Sequence, residues 1–232
     1  MDAIINGLKE AIQLILQWDP EIAGIAGLSL TVSGTATVIA SATMIPLTLL
    51  IYMKGGRVRS VTTRLSYILM GVPSVIIGLI VVLIFSGNGP LGFLRFIYTP
   101  QVMVIAQTLL ILPVVFAMTM TTIRRDGRDI VRLGRTVGAS DGQLILMIIR
   151  DLGPELTATV MMAFSRAIAE VGTVMIVGGN IRFKTRVMTT AISMFTSMGK
   201  QSMAIALGII LFTITLLINL IVMWIQGEEQ WR

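Results

Sequence analysis

Two residues of opposite charge stand one helical turn apart in an otherwise apolar stretch of the chain. The stretch is SRAIAEVGTVMIVGGN, residues 165–180, and the charged residues are Arg166 and Glu170. An isolated charge at the centre of a bilayer costs about 2.5 to 3.5 kcal/mol on insertion scales, so such residues face the protein interior or a wet pathway. A transport pathway is one interpretation of the pair, and a structural ion pair that fixes helix packing is the other.

The order of the two charges bears on their partners. Arg166 precedes Glu170, and this is the less favourable order for an ion pair between positions i and i+4 of a helix. We therefore expect the main partners of both side chains to lie on other helices.

The composition is that of an integral membrane protein without catalytic chemistry. Of the 232 residues, 55% are hydrophobic and only 13% are charged, and the mean hydropathy is +0.88. The chain has no cysteine and no histidine. Disulfides, thiol nucleophiles, imidazole bases and the usual soft-metal sites are therefore excluded. We expect neither enzyme activity nor a cofactor or metal.

Five apolar segments have the length of a transmembrane helix, roughly 20 residues, and the predicted fold class is all-α. A sixth segment, 185–199, is too short and polar to span and is expected to lie at an interface or to re-enter. Residues 1–20 predict an amphipathic helix on the membrane surface, with a poorly ordered tail as the alternative. We expect no internal repeats and no broken-helix pair. The predicted spans are about 27–53, 65–86, 101–122, 156–178 and 203–225.

Lysine and arginine residues predict the orientation. Loop 54–64 holds four of them and loop 123–155 holds six, and both loops lie on the same side of a five-span protein. The positive-inside rule makes that side cytoplasmic, with the N-terminus outside and the C-terminus inside. The cations flank membrane spans without interleaved aromatic residues, so they do not indicate nucleic-acid binding.

The segment 123–155, IRRDGRDIVRLGRTVGASDGQLILMIIRDLGPE, is the longest between two spans and predicts two short helices along the cytoplasmic face. Gly134 and Gly138 interrupt it, and residues 139–141 form an N-cap region before an apolar run. A helix pair of this kind can fit a groove on a soluble partner. From these residues alone, a merely structural loop is about equally consistent.

Part of this segment, RTVGASDGQLILMII, resembles the cytoplasmic coupling loop of ABC importer permeases. The pattern of that loop is Glu-Ala-Ala, three residues, Gly, nine residues, Ile-x-Leu-Pro. Gly138 and Ile148 match it, whereas the Glu-Ala-Ala and Leu-Pro positions differ. The differing positions are Arg132, Leu133, Gly134, Arg150 and Asp151.

Two further blocks narrow the resemblance to the molybdate/tungstate type. They are PSVIIGLIVVLIFSGNGPLG (73–92) and FSRAIAEVGTVMIVGGNIRFKTRVMTTAI (164–192). Arg-Ala-Ile-Ala-Glu-Val-Gly followed by Val-Gly-Gly-Asn-Ile is most similar to the tungstate-specific branch. The resemblance covers about residues 27–225 and implies a single permease domain of the type I importer fold over residues 1–232.

The resemblance also implies partners and a location. These are a homodimer with a pathway on its two-fold axis, two ABC ATPase subunits on the coupling loops, and an extracytoplasmic oxyanion-binding protein, in the cytoplasmic (inner) membrane of a prokaryote. The chain has no G-x-x-x-x-G-K-[ST] phosphate loop, so ATP hydrolysis has to come from a partner. Small residues of the first span would permit a close dimer seam or close packing within the chain. They are Ser33, Gly34, Thr35, Ala36, Ala40, Ser41 and Ala42.

The candidate site residues form three groups. Contacts to the ATPase are expected from Arg135, Gly138, Ala139, Ser140, Asp141 and Gln143. The gate or pathway is expected at Arg166, Glu170, Asn180 and Thr185, near a left-handed helix end predicted at Gly178 and Gly179. The outer cations Arg182, Lys184 and Arg186 are expected to draw the anion or to contact the binding protein, with a solvated turn as the alternative.

The sequence thus predicts the permease subunit of an ATP-driven tungstate importer that works by alternating access. A molybdate importer is the alternative, because the two anions are nearly equal in size and charge. A proton-coupled secondary anion transporter would use an intramembrane Arg–Glu pair but would not need the coupling loop. A membrane scaffold would explain the loop but not the outer basic turn.

Overall fold

The computed structural model describes residues 2–17 and 19–230, and within them the chain is helical with no strand. The prediction of an all-α fold is confirmed. One short 3₁₀ helix lies at Gly92–Leu94. The α-helices are α1 (Asp2–Leu16), α2 (Pro20–Lys54), α3 (Gly56–Met70), α4 (Ser74–Phe85), α5 (Pro100–Arg125), α6 (Gly127–Thr136), α7 (Asp141–Asp151), α8 (Gly153–Ile168), α9 (Gly172–Gly178), α10 (Met188–Ser197) and α11 (Gln201–Gln230).

Three helices are long and apolar enough to cross a membrane alone, namely α2, α5 and the Gln201–Ile225 part of α11. Two more candidate spans are bent pairs: α3 with α4, bent by 98°, and α8 with α9, bent by 58°. Counting each pair as one span, the described residues hold up to five spans. Our expectation that the chain has no broken-helix pair is therefore wrong.

The first break has a local cause in the backbone. Pro73 lacks an N–H, and its ring disfavours helical geometry at the preceding residue, so the helix over 65–86 is weakened at this point. Gly71 ends α3, and α4 starts only at Ser74. The second break, between Ile168 and Gly172, contains Glu170.

The first span begins earlier than predicted, at Pro20 instead of residue 27. A carboxylate oxygen of Asp19 accepts hydrogen bonds from the backbone N–H groups of Glu21 (2.9 Å) and Ile22 (3.1 Å). A side-chain cap followed by proline at the first helical position is a strong helix start. The extra turns bring Glu21 into α2.

The N-terminal helix α1 covers Asp2–Leu16, within the segment 1–20 where an amphipathic helix was predicted. Its position on the membrane surface stays a prediction.

The described residues divide into two compact units. Unit 1 takes those up to Ala36, Pro73–Gln107 and Arg166–Leu217. Unit 2 takes Thr37–Val72, Thr108–Ser165 and those from Ile218 onwards.

The core of unit 1 includes a close approach of α4 and α9. A Cβ added to Gly78 of α4 would lie 3.1 Å from Thr173 Cα and 3.3 Å from Ile176 Cβ, so glycine is what permits this spacing. The hydroxyl of Thr173 donates a 2.8 Å hydrogen bond to the carbonyl of Ser74. Buried apolar residues surround this contact: Val32, Val81, Phe85, Val102, Met103, Ala106, Val174, Val177 and Val187.

The short helix α10 is too short to span, as predicted, and its first half is buried in unit 1. Ser29 Oγ of α2 accepts the N–H of Met188 at 2.7 Å. The polar side chains of Thr189 and Thr190 are buried, and each is satisfied by a hydrogen bond that it donates within unit 1. Met198, which follows the end of α10 at Ser197, is 59% exposed.

Unit 2 contains the predicted pair of short helices, α6 and α7. Ser140 caps α7: its hydroxyl accepts the N–H of Gln143, whose side chain accepts the N–H of Ser140 at 2.8 Å. Gly138 lies between the helices with a φ of +80°, where glycine is favoured. The buried core of unit 2 is formed by Leu49, Tyr52, Phe116, Met120, Ile123, Ile148 and Leu152.

The contact between α4 and α9 predicts a position-specific cost. We expect Gly78→Val to lower the stability of the purified chain by about 1 to 3 kcal/mol, because the new side chain has no room beside Thr173. Thermal unfolding in detergent, followed by circular dichroism, measures this. Gly208→Val in α11 is the matched control, because no atom lies within 4 Å of its added Cβ. Equal losses in both variants would contradict the close approach.

Candidate functional site

Arg166 and Glu170 form a direct ion pair at the second helix break. Arg166 Nη1 donates a 2.7 Å hydrogen bond to Glu170 Oε2. Helix α8 ends at Ile168, so the pair does not lie on one continuous helix and the order rule for helical pairs does not apply. We expected the main partners of both side chains to lie on other helices, and for Arg166 this is wrong. For Glu170 the expectation holds in part, because its side chain also has a hydrogen bond with the side chain of Ser74 of α4.

Glu170 connects four helices through its side chain and backbone. Its Oε1 accepts the N–H of Thr173 at 3.0 Å, which caps the start of α9. Its backbone carbonyl accepts the hydroxyl of Thr189 of α10 at 2.7 Å. The side chain is only 4% exposed, whereas that of Arg166 is 44% exposed. A buried carboxylate is stable when several donors form hydrogen bonds to its oxygens.

Gln107 of α5 adds a polar side chain beside this pair. Its Nε2 donates a 3.1 Å hydrogen bond to the carbonyl of Ala167 near the end of α8, which also accepts the N–H of Glu170 at 3.2 Å. Its Oε1 is buried without a partner. Gln107 was not among the predicted site residues, although a glutamine in the middle of an apolar span is a visible signal.

The other two predicted gate residues, Asn180 and Thr185, lie just beyond the far end of α9. Gly179 ends α9 with a φ of +68°, and Asn180 follows at +52°, as the predicted left-handed helix end requires. Thr185 Oγ1 donates to the carbonyl of Gly178 at 2.5 Å and accepts the N–H of Ile181 at 3.0 Å. Asn180 Oδ1 accepts the hydroxyl of Thr190 at 3.0 Å. The structure thus brings the four residues to opposite ends of α9, about 10 Å apart for its seven residues.

The basic turn, residues 181–187, is tied to the start of α2. Arg182 holds Glu21 with two parallel bonds, Nε to Oε1 at 3.0 Å and Nη2 to Oε2 at 2.6 Å. Arg186 Nη1 donates to the same Oε1 at 3.0 Å. The hydrogen bonds that Arg182 donates to Glu21 raise the pKa of Arg182, which keeps its charge at any physiological pH.

Exposure differs strongly within the basic turn. The side chain of Arg182 is 59% exposed, but that of Arg186 is only 12% exposed, which a solvated turn does not explain. Lys184 is exposed. Glu21 was not among the predicted site residues. The sequence signal for Glu21 was an acidic residue at the start of the first span, on the same predicted outer side of the membrane as the basic turn.

The residues predicted to contact an ATPase lie around the junction of α6 and α7. Arg135, Gly138, Ser140, Asp141 and Gln143 are exposed, and Ala139 is half-buried. A cavity of 450 Å³ is lined there by Val137, Gly138, Ala139, Gln143, Leu146, Met147 and Arg150. Val137 and Leu133 were missed by the sequence analysis, and they are 82% and 66% exposed. Exposed apolar side chains beside a cavity are typical of a protein-binding surface.

No cluster of acidic, histidine or cysteine side chains suited to a metal ion occurs among residues 2–17 and 19–230.

Comparison with known proteins identifies the family. Residues 44–227 match the family model described as binding-protein-dependent transport system inner membrane component. The chain belongs to this family. It is a multi-pass inner-membrane permease subunit of an ABC transporter, and it is not itself an enzyme; such permeases work with a separate ATPase and a substrate-binding protein.

Three relatives extend the comparison over nearly the whole chain. The chain is 46% identical over 228 residues to the tungstate uptake system permease protein TupB of Peptoclostridium acidaminophilum, covering 98% of the chain and 100% of the relative. It is 34% identical over 203 residues to a probable anion ABC transporter permease protein of Haloferax volcanii, covering 85% and 88%. It is 31% identical over 221 residues to TupB of Campylobacter jejuni, covering 95% and 92%.

Removal of the buried carboxylate tests the role of Glu170 in the permease fold. We expect Glu170→Ala to lower stability by about 1 to 3 kcal/mol, because α9 loses its cap and Arg166 loses its partner. Glu170→Gln should lose less, because an amide oxygen can still accept the N–H of Thr173. Thermal unfolding in detergent measures both.

The control for this series is Asp126→Ala, which removes a half-buried carboxylate paired with the exposed Arg125. Such surface pairs contribute little, so its stability should match that of the unmodified chain. A Glu170→Ala variant as stable as Asp126→Ala would show that the carboxylate does not hold the helices together.

Proposed function

We propose that this permease imports tungstate by alternating access. The observation that carries this proposal is the 46% identity, over 98% of the chain, to a protein named as a tungstate uptake system permease. A second relative with the same name covers 95% of the chain at 31% identity. Tungstate is a tetrahedral dianion that is costly to desolvate in lipid, so a protein-lined path with fixed polar groups is required.

We propose that one permease domain pairs with a second copy, and that the dimer carries two ATPase subunits and receives the anion from an extracytoplasmic binding protein. Five spans are few to enclose a path alone, and two-fold dimers are the commonest closed assemblies. In α2, Thr31, Thr35, Ala42 and Thr43 are exposed. Small and hydroxyl residues on a span are typical of helix–helix contacts, which supports a dimer seam there.

The proposed orientation has the N-terminus outside and the C-terminus inside. The ten cations of loops 54–64 and 123–155 support it, because they flank the spans on one side. The basic turn then lies on the outer side. The helices α6 and α7 lie in the cytoplasm, where the ATPase subunits act.

The proposed ATPase contact is the surface around Gly138, Ser140 and Gln143. Three observations support it: the capping box that fixes the start of α7, the cavity beside it, and the exposed side chain of Val137. A rigid helix pair with an apolar projection can transmit a displacement of a partner to the spans.

The proposed gate consists of the two clusters at the ends of α9. Arg166 and Glu170 form one, and Asn180 and Thr185 form the other. The half-exposed guanidinium of Arg166 is suited to a wet path, because its charge is only partly shielded by the protein. The buried Glu170 then serves to hold that guanidinium in place.

ATP-driven uptake of tungstate is the experiment that tests the function. We expect proteoliposomes that contain the permease, its ATPase subunits and the binding protein to accumulate labelled tungstate when ATP is supplied on the ATPase side. Omitting the ATPase subunits or ATP should reduce uptake to the background of empty liposomes. Uptake that continues without ATP would contradict the proposal, since it would indicate a secondary transporter. Competition by unlabelled molybdate measures the selectivity of the complete system.

Arg166→Ala separates a gate residue from a structural brace. We expect this variant to lose tungstate uptake while the permease still assembles with its ATPase, because Glu170 keeps its hydrogen bonds to Thr173 and Ser74. The measurements are uptake and co-purification of the ATPase. Arg64→Ala on the exposed side of α3 is the control and should keep both. Loss of assembly in Arg166→Ala alone would favour the structural role.

A further inference from the structure

A charged cavity lies at the basic turn of unit 1. Its volume is 320 Å³, and Glu21, Gly24, Ile25, Leu28, Phe183, Lys184 and Arg186 line it. Arg182 borders the same cluster through its two bonds to Glu21. Arg182 and Arg186 pair with Glu21, and Lys184 lines the same cavity, so these three cations and one carboxylate carry a net charge of +2. If Glu21 withdraws, the three cations carry a charge of +3, and a tetrahedral dianion offsets two of these charges where the carboxylate offsets one.

The two guanidinium groups are held by aromatic rings. The Cζ of Arg182 lies 4.7 Å from the ring centroid of Phe183, and the Cζ of Arg186 lies 5.7 Å from that of Phe195. A guanidinium stacked on a ring keeps its N–H edges free for an oxyanion, which is the usual arrangement in bidentate recognition. The donors now used by Glu21 are therefore fixed in direction.

Donor capacity in the cluster exceeds what Glu21 uses. The Nε of Arg186 is buried and has no hydrogen-bond partner. Buried polar groups are normally satisfied, so this guanidinium nitrogen is an unused donor of a residue that lines the cavity. A carboxylate offers two oxygens, whereas a tetrahedral oxyanion offers four.

The local backbone is also unusual for a simple surface turn. Phe183 has a φ of +59° and is 78% exposed, although bulky residues rarely adopt that conformation. Strained residues of this kind persist only where the surrounding contacts hold them, and they are concentrated at binding sites and switches.

We propose that Arg182, Lys184 and Arg186 form a binding site for a free tetrahedral dianion, and that Glu21 occupies it in this structure as an internal competitor. The proposal rests on the proposed function, in which such an anion passes this turn. Glu21 keeps the site from holding the anion too tightly, because the carboxylate returns to the same donors when the anion leaves. Arg182, the more exposed partner, is the one that can release Glu21 with the least rearrangement.

Anion binding to the full-length permease, purified with its ATPase subunits in detergent and in buffer free of sulfate and phosphate, tests the competition. Tungstate is the probe, and titration calorimetry without the binding protein gives the affinity. We expect Glu21→Gln to bind tungstate at least tenfold more tightly than the unmodified chain, equivalent to about 1.4 kcal/mol. Arg186→Gln should lose binding. Chloride at equal ionic strength should not compete, whereas sulfate should.

Asp19→Asn is the matched control. It removes one carboxylate two residues from Glu21, but asparagine caps a helix as well as aspartate does, so the start of α2 is preserved. We expect its tungstate affinity to equal that of the unmodified chain. An equal gain in Asp19→Asn and Glu21→Gln would overturn the proposal, because the effect would then be one of overall charge.

Other outcomes also decide the matter. If Glu21→Gln is folded by thermal unfolding and does not bind tungstate more tightly, the site is overturned. If Glu21→Gln does not fold, Glu21→Asp is measured instead. The shorter side chain of aspartate should weaken the contact with Arg182 and Arg186 and thereby raise the affinity for tungstate. An unchanged tungstate affinity in Glu21→Asp would overturn the proposal. If the variants change only the affinity for the binding protein, the turn is a docking surface and the anion site is overturned.

The proposed function and the anion site fail in different ways. If the unmodified system does not take up tungstate with ATP, the proposed function is contradicted. If uptake is intact and Glu21→Gln has the tungstate affinity of the unmodified chain, only the anion site is contradicted.

Discussion

The buried carboxylate of Glu170 is the constraint on which unit 1 depends. A charge removed from water has to be matched by donors, because the effective penalty of burying one ion is several kcal/mol. Glu170 meets this requirement with Arg166, Thr173 and Ser74. Its own carbonyl accepts Thr189, so α8, α9, α4 and α10 all meet at one residue. This single set of bonds lies where α8 ends and α9 begins.

The two paired carboxylates of unit 1 are held in different ways. Glu170 has a buried side chain and bonds from several elements, whereas Glu21 is held by two arginines of one turn, one of them more than half exposed. The first arrangement is suited to permanence and the second to exchange with water or with another anion. A transport protein for a dianion needs both, since the walls of a path have to stay fixed while the groups that meet the anion have to let it go.

Much of the architecture could be predicted from the sequence. Hydropathy predicts the number of spans, and Gly138 with Ser140 and Gln143 predicts the turn and the capped start of α7, because these signals are local. The breaks in two spans were not predicted, since a window of hydropathy does not register where the backbone changes direction. Glu21 was missed for a different reason: its partner Arg182 is 161 residues away, and no local pattern shows such a pair.

The close contact of α4 and α9 has a consequence for how the protein is made. With twelve and seven residues, neither helix reaches the roughly 20 residues that a bilayer crossing needs. Ser74 and Thr173, which join them, are 99 residues apart in the chain. During synthesis the first broken span therefore enters the membrane long before its partner exists. The face of α4 around Ser74 and Gly78 lacks its packing partner until α9 arrives, so insertion of this permease is completed only when its second half has been made.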